Sequence, residues 1–469
     1  MVRVIFSLDT EDYITPQHDD AVEFWAKLFA ERKIRGCFNV VAEYARALKA
    51  RKRGDIINLV SGNEADYHSN VHSVHPTFPE YLDTMDWDDG INEVIRKEAE
   101  GIKDVEDIFG QHPSSYMQPG GSFAPQVLYA MCQMGIPVMT WTFLSSLSKL
   151  KPLWYCSALE GILWNLGFDD YFETGDFEKM KAGFERIYEK EKNLPDGLIV
   201  LGTHPCKLVA AEFWDGVNFN GRNTAPWAWK PAALRPQAAF ESLKKGITDF
   251  TDWVLAKPGV EVITYGELYR QYKLPAKEKV ALKELRSLAE STVKELGYTK
   301  PGKGYFSPAE IFSLFSSALE ILLKKRSLPA CIPLQKTAGP VSDFPDFKGK
   351  IELKKTEFLR KCAEVNQYVK GFKRVPSEIK IGSARVGPGS FIRSMAAAML
   401  KPAAKTVKIE SADNYPQAVK SGDFENLKYK DQWLFVQGFE GKNIIRWAKL
   451  QSWTIKPARL NKESESPAQ

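Results

Sequence analysis

The chain has 469 residues, of which 44% are hydrophobic, with 64 Lys+Arg against 59 Asp+Glu. That balance excludes a wholly disordered protein. The longest apolar stretch, Trp154 to Phe168, is broken by Glu160 and Asn165, so no run supplies the ~18 uncharged apolar residues of a membrane span. The net charge of +5 hides a division: residues 1–274 hold 29 Lys+Arg and 39 Asp+Glu, net −10, and residues 275–469 hold 35 and 20, net +15. All six histidines (His18, His68, His72, His75, His112 and His204) lie in the acidic part.

Val2 to Leu8 reads as a strand that runs straight into acidic residues, without an export leader or cleavage site, and this predicts a cytoplasmic protein. Six cysteines with no CxxC spacing read as reduced thiols. Further strands are expected at Gly36–Val41, Ile56–Val60, Ser115–Gln118, Pro137–Trp141, Leu198–Thr203 and Val260–Thr264, and helices at Asp20–Lys33, Asp88–Phe109, Ala124–Gln133, Asp176–Lys192 and Gln237–Leu255. Such alternation argues for a parallel sheet with helical crossovers, either a β/α barrel or an open doubly wound sheet. Both phosphate-binding glycine motifs are absent. A boundary is expected near Tyr272–Glu278, giving a first domain over 1–274. Helical spacing follows at Glu278–Leu296, Pro308–Lys325 and Thr356–Val369, with Ser307-Pro308-Ala309-Glu310 as a helix start. The expected order is a helical segment at 275–328, a Pro/Gly-rich linker at 329–355, a basic accessory domain at 356–460 and a disordered tail at 461–469.

Three clusters sit where strand patterns end: Asp9-Thr10-Glu11-Asp12, His68-Ser69-Asn70-Val71-His72 with His75 close behind, and Thr203-His204-Pro205. In a parallel barrel those ends share one face. His68 and His72, four apart, face one way on a helical turn. With a carboxylate of the first cluster they form a His/His/carboxylate set with an open position, as catalytic zinc sites have. A metal lowers the pKa of a bound water to about 7. A second carboxylate can then take the proton, and His204 can protonate a leaving group. Trp214, Trp227 and Trp229 either line a pocket for sugar rings or cap the end of the barrel.

At these residues the chain resembles the polysaccharide deacetylase family (carbohydrate esterase family four, the NodB-homology domain) over roughly residues 1–270. The resemblance implies a distorted (β/α)7 barrel; the charge and helical spacing of the rest predict a smaller, mainly helical basic domain after it. It implies Asp9 as general base, Glu11 or Asp12 as metal ligand with Glu11 preferred, and His68 and His72 as ligands through the H-[ST]-x-x-H motif. His204 is implied as the catalytic acid. The cofactor implied is a divalent metal: zinc first, with cobalt, nickel or manganese as alternatives. The substrate implied is an acetylated amino sugar or a sugar-containing carrier, cleaved at its C–N bond. The family's RxPY loop is altered to Gln118-Pro119-Gly120-Gly121. Gln118 is then the expected partner of Asp9, while Gly120, Gly121 and His75 are expected at the substrate or oxyanion. The family's Asp-Trp motif has no counterpart between Trp141 and Ser148.

Two other readings stand beside this one. Gly120 and Gly121 leave room for a cyclic amide, as in allantoinase-like relatives. The missing arginine also suits a non-catalytic glycan-binding protein. The +15 of residues 275–469 predicts attraction to a polyanion, with Trp433, Trp447 and Trp453 as stacking platforms. A homo-oligomer is also compatible with the sequence.

Overall fold

The structure is a computed structural model that describes residues 1–141, 143–147, 152–272, 279–302, 304–430 and 432–461. The expected boundary at residues 273–278 and the tail beyond Asn461 lie outside the described residues. The chain is a mixed α/β protein with a mostly parallel central sheet. Its strands are β1 Val2–Thr10, β2 Cys37–Val40, β3 Glu64–Tyr67, β4 Ser115–Tyr116, β5 Val138–Met139, β6 Leu153–Tyr155, β7 Ala158–Glu160, β8 Leu166–Gly167, β9 Leu198–Thr203 and β10 Val260–Val262. They run in the order β6-β7-β5-β4-β3-β2-β1-β9-β8, and β10 pairs with the start of β1. Along this path only the β6–β7 pair is antiparallel. Among the described residues the path is open, with β8 at one end.

The long β1 shows how sequence periodicity sets the two faces. Val4, Phe6 and Leu8 point to a large core shared with the covering helices, whereas Ile5, Ser7 and Asp9 alternate to the opposite face. On that face a small core of Ile5, Cys37, Val138, Leu159 and Val200 packs against Tyr265, Leu268 and Tyr272. Polar residues lie above it, toward the C-terminal strand ends.

The expected strand Ile56–Val60 is a helix, Gly54–Ser61, which buries Ile56 and Val60, four residues apart. The strand at this point of the chain is β3, Glu-Ala-Asp-Tyr, fully buried. Two carboxylates in four residues hid it from a hydrophobicity reading.

A second core joins the helices Leu282–Thr292, Pro308–Lys325, Lys355–Phe372 and Pro388–Leu400. Three two-stranded ribbons accompany it, formed from β11 Lys279–Ala281, β12 Cys331–Pro333, β13 Lys350–Lys354, β14 Ile379–Ile381, β15 Ala384–Val386 and β16 Thr406–Glu410. Ser307 and Glu310 form the reciprocal cap that the sequence suggests.

The packing links stretches on either side of the expected bounds. Leu285 and Phe312 share one core with Phe358 and Phe391, so 329–355 does not separate two units. Within that stretch, the Gly339 N–H and the Pro340 carbonyl bond the Gln451 side chain. The expected accessory domain 356–460 is also split. Phe424, Tyr429, Leu434, Trp447 and Leu450 return to the first core, and β17 Lys456–Pro457 joins the main sheet against β6. Buried Lys456 reaches Glu310 at 2.6 Å, tying the two cores together. The charge count followed lysines on the surface; the packing follows the apolar residues. Trp447 and Trp453 are buried, their indoles donating to the Val341 and Asn414 carbonyls, so neither is a stacking platform.

Candidate active site

Register brings the three sequence clusters together. Asp9 lies opposite Asn39 on β2, and Asn39 opposite Asp66 on β3. On the far side of β1, Ser7 pairs with Gly202 and Leu8 with Thr203, which sets His204 beside Asp9. Gly202 is required by close approach: a Cβ there would fall 1.7 Å from the Trp164 ring.

Glu11, His68 and His72 converge as buried donors whose ligand atoms lie within 4.8 Å of one another. The Glu11 Oε2 atom is 3.1 Å from His68 Nε2 and 2.9 Å from His72 Nε2. Each imidazole is oriented from behind. His68 Nδ1–H donates to the Met117 carbonyl at 2.8 Å, and His72 Nδ1 bonds Ser73 Oγ at 2.7 Å, which donates in turn to Asp215. Both Nε2 atoms therefore face the same point, an arrangement typical of metal-binding histidines. Trp214 Nε1–H donates to the other Glu11 oxygen at 2.9 Å. The two histidines hold the Glu11 carboxyl well below the usual range despite its burial. A His/His/carboxylate set with fixed outer nitrogens fits a divalent cation.

The histidines do not share a helical turn. They lie in a loop after β3, with Ser69 at φ +70° and His72 at φ +56°. Such a backbone costs on the order of 1–3 kcal/mol per residue and persists where its surroundings dictate it. Here the His72 N–H donates to Ser69 Oγ, and the Asn70 N–H donates to buried Glu98, which also accepts from Tyr67.

Asp9 and His204 form the second part of the site, His204 Nε2 standing 3.6 Å from Asp9 Oδ2. Burial raises the Asp9 carboxyl, opposed by His68 and His204. Asn39 Nδ2 donates to Asp9 at 2.7 Å and also reaches Ser7 Oγ. Asp169 accepts from His204 Nδ1 at 2.5 Å and from Thr203 Oγ1. Burial would lower the His204 pKa, but Asp169, Glu11 and Asp9 outweigh it and raise it to about 10. A cleft of about 410 Å³ opens here, lined by Asp9, His204, Met117, Trp141, Leu163 and Trp164.

Several expected site residues have other surroundings. Asp12 Oδ1 accepts from the Ile14 and Thr15 N–H groups and stabilises a turn beside the trio. His75 bonds Glu80 and the Phe219 carbonyl through its two nitrogens, which makes it a strut between loops. Gln118 lines the cleft but donates to the Gly120 carbonyl; the partner of Asp9 is Asn39. Gly120 also lines the cleft, yet the space beside the two glycines is taken: Leu434 packs on Gly120 and Gln432 on Gly121. Trp214 is buried against the trio, Trp229 packs on Tyr13 and Phe219, and Trp227 is 90% exposed. His18 is fully buried, and its Nδ1 bonds the Asp12 carbonyl.

Sequence reasoning missed Asn39, Asp169, Ser73 and Asp215. Asn39 carries a signal, since it is a polar residue in an otherwise apolar strand pattern. Asp169 and Asp215 stand among many surface carboxylates, and only the fold separates them.

No protein-family model matches the chain, and no curated protein matches it. Among solved structures, similar ones include a pseudoenzyme of carbohydrate esterase family 4 from Bacillus anthracis, at 12% identity and a TM-score of 0.31, over 57% of this chain and 64% of that one. The chain thus spans less than two thirds of that neighbour. Puue allantoinase is similar at 14% identity and a TM-score of 0.38, over 57% and 89% of the two chains. A family 4 carbohydrate esterase from Streptomyces lividans, in complex with acetate, is similar at 9% and 0.29, over 54% and 88%.

Proposed function

We propose that the protein is a metal-dependent hydrolase of the polysaccharide deacetylase type, built on a distorted (β/α)7 barrel, that removes the acetyl group from an acetylated amino sugar. The observation that supports this reading is the buried Glu11–His68–His72 trio next to the Asp9–His204 pair, and that pair lines a cleft. Glu11, His68 and His72 would hold the divalent cation, zinc first. When bound, it supplies a Lewis acid for the acetyl carbonyl and a lowered pKa for the attacking water. Asp9, fixed by Asn39, accepts the proton of that water. His204, kept protonated by Asp169, donates a proton to the amine nitrogen as the C–N bond breaks. Met117, Trp141, Leu163 and Trp164 give the cleft apolar walls around the reacting group.

Metal analysis of purified protein tests the site. Wild type is expected to hold close to one equivalent of a divalent metal, and His68→Ala less than a tenth. An equal and negligible content in both sinks the reading. A panel of N-acetylated sugars against ureides and imides tests the substrate. Turnover of the cyclic amides alone selects the allantoinase-like activity, and glycan binding without turnover under any metal selects a non-catalytic role.

The basic part, with its +15 over residues 275–469, is proposed to bind a polyanion. Affinity is then expected to fall steeply between 50 and 200 mM salt; salt-independent binding, or none at low salt, refutes it.

A further inference from the structure

The sheet face that carries Asp9 holds a second group of donors nearer the start of the strands. Cys37 on β2 and Glu64 on β3 are register partners, and Asp66 stands opposite Asn39 two residues further along. One ligand atom from each of Cys37, Glu64 and Asp66 lies within 4.8 Å of the others, and all three residues are buried. Four backbone N–H groups fix them from outside. Those of Ser114 and Ser115 donate to Asp66 Oδ1 at 2.9 and 2.8 Å. Gly266 donates to Glu64 Oε1 at 2.9 Å, and Tyr265 to Cys37 Sγ at 3.4 Å. Position 266 has no room for a side chain, since a Cβ there would stand 2.7 Å from Glu64 Oε2. Two polar atoms of this group are left over: Asp66 Oδ2 and Tyr265 Oη are buried without a hydrogen-bond partner.

We propose that Cys37, Glu64 and Asp66 form a second metal site, separate from the Glu11–His68–His72 trio, for a divalent cation of the zinc class. A carboxylate oxygen in an apolar core is costly to leave unpaired, and Asp66 directs one oxygen to two N–H groups while the other has none. A cation between the three side chains supplies that partner. The spacing suits it. Around a tetrahedral zinc, with sulfur at about 2.3 Å and oxygen at about 2.1 Å, the two ligand atoms stand about 3.6 Å apart; Cys37 Sγ and Glu64 Oε1 are 3.8 Å apart. One thiolate with two carboxylates is a mixed set that suits zinc or cobalt better than magnesium or calcium, which favour oxygen alone. The site's work is structural. It joins β2 to β3 next to Asn39, which fixes Asp9, and it holds the start of the helix Tyr265–Tyr272 against both strands. The inference does not rest on the deacetylase reading.

A thiol gives up its proton when it takes a metal, so filling this site competes with protons. Protein as purified therefore keeps the metal of the trio, and the second site fills when metal is added at mildly alkaline pH. The test titrates the full-length, metal-stripped protein with Co²⁺ alone and follows the near-ultraviolet absorption of a sulfur-to-cobalt charge transfer. In wild type the band is expected to grow as a second equivalent enters, in His68→Ala with the first, and in Cys37→Ser not at all. No band in wild type and His68→Ala, as three groups that merely share protons would give, overturns the proposal. So does a band that survives in Cys37→Ser, which assigns it to another cysteine. If Cys37→Ser does not fold, Asp66→Asn supplies the reading: it keeps an oxygen for the Ser114 and Ser115 N–H groups and is expected to weaken the cobalt that gives the band by at least about tenfold, and unchanged affinity overturns the proposal. The two metal sites fail separately. Loss of the trio's metal leaves the Cys37-dependent band in place, and absence of the band leaves the histidine-dependent equivalent untouched.

Discussion

In the first core Asp9, Glu11, His68, His72 and Asp215 are all buried, and they pair with one another or, for Asp9, with His204. In the second, the buried charged residues among those described at 279–420 are Glu310 and Glu320. Glu310 completes a helix cap and pairs with Lys456. Glu320 is surrounded by Lys324, Lys370 and Asn366. Burying a charge is costly unless it is paired. The second core meets that cost locally, with cations and amides. The first core leaves carboxylates facing carboxylates and histidines, an arrangement that a bound cation stabilises. The overall sign of each region is therefore a poor guide: the acidic part is distinctive for where its charges are buried, and the basic part for having kept nearly all of its own on the surface.

The comparison breaks most sharply at His204. On the proposed function, His204→Ala is expected to lower turnover by about 10²–10⁴-fold while metal content persists, since it would remove a general acid and no ligand. Single-turnover kinetics with metal analysis on the same sample checks this, and loss of metal along with rate removes His204 from the acid role. A smaller effect is expected at Ser73, which links His72 to Asp215. Ser73→Ala frees the back of the imidazole and should cost about 10–100-fold in metal affinity, read by chelator competition. In the second core the matching substitution is Asn366→Ala. Asn366 bonds Ser316, Ser317 and Glu320, and its loss should lower stability by about 1–3 kcal/mol in urea unfolding without changing metal affinity. A change in metal affinity there would mean that the two cores are coupled.

Much of the candidate site was legible in the sequence because the residues that converge there stand at strand ends within short motifs. Asp9, Glu11, His68, His72 and His204 could be named because each follows an apolar run or a tight spacing. What could not be read is what supports them. Asn39 reaches Asp9 through strand register, and Asp169 reaches His204 from 35 residues away. Spacing carries neither relation. The fold shows the same limit. The apolar run Ile56–Val60 imitates a strand, whereas Glu64–Tyr67 forms one with two buried carboxylates. The return of Leu427–Leu450 to the first core is invisible to composition because its lysines resemble those of the second.

The finest separation of the two regions is by pH, in metal-free protein. Burial raises Glu98 to about 7, and Asp169 with its neighbours raises His204 to about 10. A group whose pKa is higher folded than unfolded contributes stability in full below its unfolded value and loses it as pH climbs through the folded one. The first core should therefore weaken with rising pH, between about 4.3 and 7 through Glu98 and between about 6.5 and 10 through His204. Glu320 is the opposite case: Lys324, Lys370 and Asn366 outweigh its burial and hold it at about 2. Its contribution is complete above an unfolded value of about 4.3 and is lost as pH falls toward 2. Melting temperatures measured across this range should thus respond to two substitutions at opposite ends. Glu98→Gln keeps an acceptor for Tyr67 and Asn70 and should reduce the slope between about 4.3 and 7, leaving the part that Asp12 and Asp215, both raised to about 6 by burial, contribute. Glu320→Gln should flatten only the acid limb. If either substitution moves the limb assigned to the other, the two cores do not unfold through separate ionisations, and the distinction between a region that buries charge in opposition and one that buries it in pairs loses its thermodynamic meaning.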